Sequence, residues 1–190
     1  MRVTDLPPVF ILFDTEFTSW EGSQERDWKG PGEYRELVQI GAIRVQAGML
    51  RESDFFNHYI KPRRNPVLSD YFVKLTGITQ EMIERDGVDA ADAIRQFAAW
   101  RGSDAAGSWG DDVEELEENC RLAGIACPID RARFFDAKEI FTAHGIAADH
   151  YMSSTIPRAF GVEPELRGHN ALSDARTILQ GLQLLRVRAV

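Results

Sequence analysis

Acidic residues at the end of an apolar run are the first feature of this 190-residue chain that suggests chemistry. Asp14 and Glu16 follow the run VFILF and are two residues apart, so on a strand both side chains point to the same face. Carboxylates this close repel each other unless a cation or a proton lies between them. Solvated acids at an exposed strand end are the alternative, but the apolar run is typical of a central strand. Combined with the clusters that follow, the pair predicts a divalent metal site.

Two further clusters contain the other residues that such a site needs. Asp111 and Asp112 follow SWG and begin a helix pattern, where acids are also common because they favour the helix dipole. We therefore expect only one of these two at the metal site. His169 and Asp174, in HNALSD, lie just before and within the first turns of the last helix pattern. A neutral imidazole there can accept a proton from water, which predicts metal-assisted hydrolysis of a phosphodiester.

Hydrophobic periodicity places these clusters on a sheet flanked by helices. Apolar and alternating segments predict a three-stranded meander over residues 9–13, 37–45 and 54–60, and two shorter strands within 105–110 and 131–137. Apolar residues at three- and four-residue spacing predict helices over residues 69–75, 79–85, 90–100, 113–122 and 171–187, with Asn170 as the N-cap of the last. A short helix is expected over residues 138–145, and a short or distorted one around Pro157. This order of elements predicts an α/β fold with helices on both faces of a mixed sheet.

Bulk composition limits the possible partners. The net charge of −8 argues against a broad basic surface that holds duplex DNA, and 44% hydrophobic residues fit one domain over residues 1–190. The apolar run before Asp14 is too short to cross a membrane and has no cleavage-site pattern, so no membrane partner is expected. Cys120 and Cys127 match neither a zinc pattern nor a redox CxxC pair. Reduced thiols and a cytoplasmic location are therefore predicted.

Taken in order, the three motifs resemble those of a known enzyme family. DTE matches the D-x-E motif of the DEDDh branch of the 3′–5′ exonucleases, and HNALSD matches their H-x₄-D motif. An aspartate at the head of a helix after SWG matches the second motif. The resemblance extends from Phe10 to about Leu185. The segment FNHYIKPRRNPVLSDYFVKLTGIT is also similar to the exonucleases that act on histone mRNA and small RNA, and to their bacterial relatives.

The resemblance implies a ribonuclease H-like exonuclease fold with a mixed five-stranded sheet, and it implies a role for each motif residue. Asp112 is preferred over Asp111 because the family aspartate precedes a helix leucine by four residues, as Asp112 precedes Leu116. His169 would be the general base. Two Mg²⁺ or Mn²⁺ ions would clamp the attacking and leaving oxygens of the terminal phosphodiester. The residues that would hold both ions are Asp14, Glu16, Asp112 and Asp174.

The implied substrate is a nucleic acid 3′ end, and the implied product is a nucleoside 5′-monophosphate. Phe17 and Thr18 resemble positions that meet the terminal nucleotide, and Leu75 resembles one that packs on a base. RNA or single-stranded nucleic acid is expected rather than duplex DNA, and a DNA-trimming exonuclease is the close alternative. A non-catalytic nucleic-acid-binding module on the same fold is the other alternative. Such a module would be expected to lack one of the acids, and all the required types are present.

Two segments beside these motifs have open interpretations. The long polar segment from Ser19 to Glu36 contains Trp20, Trp28 and Tyr34, which would either stack on bases as a lid or pack against the domain as a surface insertion. The basic KPRR sequence (residues 61–64) would either contact phosphates or form an ordinary solvated loop. The solvated loop is favoured because a run of charges is usually a soluble surface.

Overall fold

The structure is a computed structural model that describes residues 1–188, and its centre is a five-stranded sheet in the order β3-β2-β1-β4-β5. The antiparallel meander consists of β1 (Val9–Phe17), β2 (Leu37–Gln46) and β3 (Arg51–Tyr59). On the other side of β1, β4 (Ala105–Ser108) and β5 (Phe134–Asp136) continue the sheet in parallel. The predicted mixed sheet is confirmed, although β1 continues through the acidic pair and β3 begins three residues earlier than expected.

The helices lie close to their predicted positions. They are α1 (Asp70–Thr76), α2 (Gln80–Asp86), α3 (Ala90–Arg101), α4 (Asp112–Ala123), α5 (Lys138–Thr142) and α6 (Ala171–Arg188). A 3₁₀ helix at Ile156–Phe160 is the short helix expected around Pro157. Within residues 1–188, no helix is both long and apolar enough to cross a membrane.

β1 is buried on both faces, and the alternation of its side chains divides the core into two layers. Phe10 and Leu12 pack in a cluster with α6 residues, whereas Ile11 and Phe13 pack in a cluster with α3 and α4 residues. Because successive side chains on a strand point to opposite faces, this alternation continues into the motif. Asp14 and Glu16 therefore face the α6 side, and Thr15 faces the α4 side.

Two residues of β2 fix the beginning of α6 beside the acidic pair. Gly41 is paired with Asp14, and a Cβ atom at this position would lie 2.1 Å from the backbone nitrogen of Leu172. Gln39 is fully buried, and its Oε1 accepts a hydrogen bond from the backbone N–H of Ala171 at 2.9 Å. The absence of a side chain at Gly41 thus lets α6 approach the sheet closely, as a strand glycine often does.

The predicted cap of α6 is also present. The Asn170 side-chain oxygen accepts a hydrogen bond from the backbone N–H of Ser173 at 3.2 Å, as expected of an N-cap. This cap and the contacts with β2 together determine where the first turn of α6, which carries Asp174, meets β1.

Candidate active site

Three carboxylates converge where β1 ends and α6 begins. Asp14, Glu16 and Asp174 each offer an oxygen, and these oxygens all lie within 4.8 Å of one another. Burial, together with the negative charges of the neighbouring acids, raises the pKa of Asp14 and of Glu16 well above the usual values. Burial also raises the pKa of Asp174 to about 7. Without a cation, ionisation of the three acids is therefore less favourable than that of ordinary carboxyl groups.

The cluster fits a divalent cation. Asp174 is only 3% exposed, and its Oδ1 is buried without a hydrogen-bond partner among residues 1–188. A buried, unpaired carboxylate oxygen is costly unless a cation or another donor satisfies it. All the candidate ligand atoms are carboxylate oxygens, which suit Mg²⁺ and Mn²⁺. The residues present therefore suit the metals that the sequence resemblance implies.

Asp112 approaches from the opposite face of the sheet and does not join the three-carboxylate group. Its Oδ1 accepts a hydrogen bond from the Thr15 hydroxyl at 2.7 Å, because α4 packs on the face to which Thr15 points. Its charge still contributes to raising the pKa of Asp14 and of Glu16, so Asp112 lies close to both. Burial raises the pKa of Asp112 itself to about 6.

Asp111, the alternative to Asp112, lies elsewhere. Its exposed carboxylate forms an ion pair with Arg131 and lines a separate cavity beside β5. The assignment of a metal-ligand role to Asp112 stays a prediction, but the two neighbouring acids clearly occupy different surroundings.

His169 lines the same cleft as the three carboxylates. Its backbone N–H donates a hydrogen bond to Asp174 Oδ2 at 3.1 Å, and its backbone is left-handed with φ of 60°. Partial burial, with a smaller effect of the Arg167 charge, lowers the pKa of His169. The neighbouring Gly168 allows close packing, because a Cβ atom there would lie 2.6 Å from Ser154 Cβ. The imidazole is therefore neutral near pH 7 and able to accept a proton.

The cleft itself has a volume of about 210 Å³ and is lined by apolar as well as acidic side chains. Phe17 and Leu75, two of the predicted substrate contacts, line it. Thr18 is buried, and its hydroxyl donates to the carbonyl of Tyr34 and accepts from the N–H of Glu36, so its substrate role stays a prediction. Lining residues that the sequence analysis missed, for which no spacing pattern exists, are Tyr71, Met152, Ser153 and Ser154.

The segment of residues 19–36 forms part of this cleft. Trp20 and Trp28 both line it, whereas Tyr34 lies beneath the Arg64 guanidinium. The Trp28 ring contacts Phe17 edge-to-face at 5.3 Å, and the Arg35 guanidinium covers it at 4.4 Å. The Trp28 indole N–H donates a hydrogen bond to the carbonyl of Thr18 at 2.9 Å. Trp28 therefore packs against the domain while it borders the cleft.

The KPRR sequence is tied to the end of the same segment. The buried Glu36 carboxylate accepts hydrogen bonds from the backbone N–H groups of Arg63, Arg64 and Asn65. The Arg63 side chain forms an ion pair with Asp89. These contacts give residues 61–64 the character of an ordered surface loop, and phosphate contact by this loop stays an untested alternative.

The structure thus places buried carboxylates and a histidine at the end of the central strand of a mixed sheet, as the ribonuclease H-like resemblance drawn from the sequence implies. Comparison with known proteins gives the family. The Exonuclease family model (RNase_T) matches residues 11–182, so the chain belongs to the exonuclease family. The resemblance to the DEDDh 3′–5′ exonucleases drawn from the sequence motifs is thereby confirmed.

Curated relatives cover the chain to different extents. The 3′-5′ exoribonuclease 1 of Mus musculus is 24% identical over 184 residues, which span 88% of this chain and 50% of that protein. The ERI1 exoribonuclease 2 of Xenopus laevis is 29% identical over 90 residues, which span 47% of this chain and 12% of that protein. The chain thus spans half or less of the length of these relatives.

Solved structures match the fold over nearly the whole chain. The nuclease domain of 3′hExo, described as a DEDDh family member bound to rAMP, has a TM-score of 0.80 at 19% identity. That match covers 96% of this chain and 92% of the domain. Exonuclease I of E. coli, in complex with a dA16 oligonucleotide, has a TM-score of 0.66 at 14% identity and covers 95% of this chain and 41% of the enzyme. The expected DEDDh exonuclease fold is confirmed.

Proposed function

We propose that this chain is a divalent-metal-dependent 3′–5′ exonuclease that releases nucleoside 5′-monophosphates from the 3′ ends of RNA or other single-stranded nucleic acid. The observation that carries the proposal is the convergence of Asp14, Glu16 and Asp174 in the cleft that His169 also lines. Relatives named as exoribonucleases and a related domain bound to rAMP support RNA and a nucleoside monophosphate product. The complex of exonuclease I with a DNA oligonucleotide supports the DNA-trimming alternative.

The four acids and His169 each have a defined task in this proposal. Asp14, Glu16 and Asp174 would hold the divalent cations, with Asp112 as the fourth ligand. When bound, these cations supply positive charge at the phosphate and acidify the attacking water. The neutral ring of His169 accepts a proton as the water oxygen attacks phosphorus. The bond from phosphorus to the 3′ oxygen of the preceding nucleotide breaks, so the terminal nucleotide leaves with a 5′-phosphate.

The shape and charge of the cleft favour a single strand. Phe17 and Leu75 offer apolar contacts to an unpaired terminal base, and Tyr71, which is 40% exposed, extends this surface. With a net charge of −8, the chain offers few surface cations that could neutralise the two phosphate backbones of a duplex. Substrate recognition would therefore rest on a few bases near the 3′ end more than on many phosphate contacts.

The function is tested with 5′-labelled RNA and DNA, each single- and double-stranded, in Mg²⁺, in Mn²⁺ and in a chelator. We expect shortening from the 3′ end and 5′-monophosphate products in either metal, and no turnover in the chelator. Asp14→Asn should abolish turnover with the fold intact, because it removes a proposed cation ligand. A non-catalytic binding module would instead bind the oligonucleotides without shortening them, and undiminished turnover by Asp14→Asn would exclude the metal site.

Asp111 and Asp112 offer a matched pair of substitutions for the second motif. Asp112→Asn should lower kcat by more than the roughly 10–100-fold typical of groups that only support a metal ligand. Asp111→Asn should leave kcat nearly unchanged, since its carboxylate is exposed and pairs with Arg131 outside the cleft. The measurement is steady-state turnover of a single-stranded oligonucleotide at saturating Mn²⁺. A larger loss for Asp111→Asn would reverse the assignment.

A further inference from the structure

The two cysteines of the chain lie side by side, away from the cleft. Cys120 is in the last turn of α4 and is 1% exposed, whereas Cys127 follows the helix and is exposed. Their sulfur atoms are 3.0 Å apart, and both are free thiols. Neither residue lines the cleft or belongs to the proposed chemistry.

We propose that Cys120 and Cys127 form a reversible oxidation site, at which a hydroperoxide converts the two thiols into an intramolecular disulfide. One buried and one exposed thiol at this distance provide both a sulfur that an oxidant can reach and a second sulfur that can displace the oxidised group. Such an arrangement is typical of cysteines that respond to oxidants.

The chain between the two cysteines holds them in place. Gly124 ends α4 in a left-handed conformation with φ of 67°, and the N–H of Ile125 donates to the carbonyl of Cys120 at 3.0 Å. Ile125 and Ile129, on either side of Cys127, both pack against the core cluster that contains Cys120. The exposed thiol is therefore fixed over the buried one by apolar contacts at both ends of its segment, so closure needs little backbone movement.

The chemistry is balanced with a hydroperoxide as the oxidant. The Cys127 thiolate attacks the peroxide oxygen, the O–O bond breaks, and a sulfenic acid and an alcohol or water form. The Cys120 sulfur then attacks the Cys127 sulfur, the S–O bond breaks, and the hydroxyl leaves as water with the Cys120 proton. Two thiols are oxidised and one peroxide is reduced. Burial raises the pKa of the Cys120 thiol to about 12, which is consistent with Cys127 as the sulfur that reacts first.

The disulfide would covalently link the last turn of α4 to the segment that follows. The adjacent Asn119 binds the carbonyl of Arg35 and the N–H of Leu37 through its side chain, so this turn also anchors the start of β2. Because a bridge restricts the unfolded chain, the oxidised protein should unfold at a higher temperature than the reduced protein. The cleft should be unaffected, since neither cysteine lines it.

The test is intact mass measurement of the whole chain under non-reducing conditions, before and after hydrogen peroxide. We expect a loss of two hydrogen atoms, loss of both thiols that alkylate after denaturation, a higher Tm, and recovery of all three properties with dithiothreitol. In Cys120→Ser, dimedone should trap Cys127 as a sulfenic acid, and in Cys127→Ser the buried Cys120 should remain unmodified. Two thiols that stay alkylatable, oxygen added to either cysteine of the natural sequence as located by peptide mass analysis, or disulfide-linked dimers would each overturn the proposal.

Discussion

The backbone of His169, the proposed general base, has an unusual conformation. A left-handed conformation is uncommon outside glycine, and here the hydrogen bond from the His169 N–H to Asp174 Oδ2 accompanies it. The same contact links the proposed base to a proposed cation ligand, so both groups depend on the first turn of α6. Residues held in unusual backbone conformations are often found at functional sites.

Substitution of His169 by alanine should slow turnover by ~10²–10⁴-fold, the range typical of a positioned general base. The carboxylates remain, so metal-induced stabilisation should persist. Because burial lowers the pKa of His169, the acid limb of the pH–rate profile at saturating metal should rise through mildly acidic pH as the imidazole loses its proton. His150→Ala, which changes an exposed histidine outside the cleft, is the control. Near-normal turnover by His169→Ala at pH 7 would remove this residue from the mechanism.

Sequence spacing predicted which acids share a face, but not how the second motif reaches them. Asp14 and Glu16 share a face because strand geometry has a fixed period of two. The hydrogen bond from Thr15 to Asp112 depends on α4 packing against the opposite face, which is a tertiary contact without a local signature. The choice between Asp111 and Asp112 therefore rested on family spacing alone.

At the level of elements, the segment of residues 19–36 shows why composition could not decide between a lid and a surface insertion. Trp28 is covered by the Arg35 guanidinium, contacts Phe17 edge-to-face and is bound through its indole N–H, so its ring is held against the domain. Trp20 also lines the cleft, yet within the described chain its ring has no aromatic or cationic partner. Of the two tryptophans, we therefore expect Trp20 rather than Trp28 to contact a base.

Kinetics of Trp20→Ala and Trp28→Ala test this assignment on a single-stranded oligonucleotide and on a small chromogenic phosphodiester. Stacking is worth roughly 1–3 kcal/mol per base, so Trp20→Ala should raise KM for the oligonucleotide about 5- to 150-fold, with little change in Tm or on the small ester. Trp28→Ala should lower Tm and reduce activity on both substrates, because it removes packing under the cleft. Selective loss on the oligonucleotide by Trp28→Ala at unchanged Tm would reverse the two roles.

The regular elements were predictable because their signals are periodic and local. The strands and helices follow apolar patterns, and the cap of α6 follows from the side chain of Asn170. The wall formed by Met152, Ser153 and Ser154 was missed because these residues are in a turn and reach the cleft only through tertiary packing. The contacts of β2 with α6 were more predictable, since glycine and glutamine, here Gly41 and Gln39, are unusual in a buried strand.

At the scale of the whole molecule, four acidic side chains are buried close together, and their ionisation opposes folding. Burial raises the pKa of Asp174 to about 7 and the pKa of Asp112 to about 6, and it raises those of Asp14 and Glu16 well above the usual values. A carboxyl group whose folded-state pKa is raised binds its proton more tightly in the folded state. Its ionisation therefore lowers stability as pH rises from the unfolded pKa to the folded one.

The Tm of the metal-free protein should consequently fall as pH rises between about 4 and 7, the window between the unfolded and folded pKa values. Mg²⁺ should raise Tm more at neutral than at acidic pH, because only ionised carboxylates bind it strongly. Exposed ion pairs such as that of Asp86 with Arg85 change the stability in the opposite direction with pH, so moderate salt should be present to screen them.

The readout is the difference in Tm between the natural sequence and Asp14→Asn, measured by thermal unfolding in chelator and in Mg²⁺. Asp14→Asn should raise the metal-free Tm at neutral pH and reduce the shift produced by Mg²⁺. An unchanged Mg²⁺ shift in Asp14→Asn would show that the cation is held elsewhere.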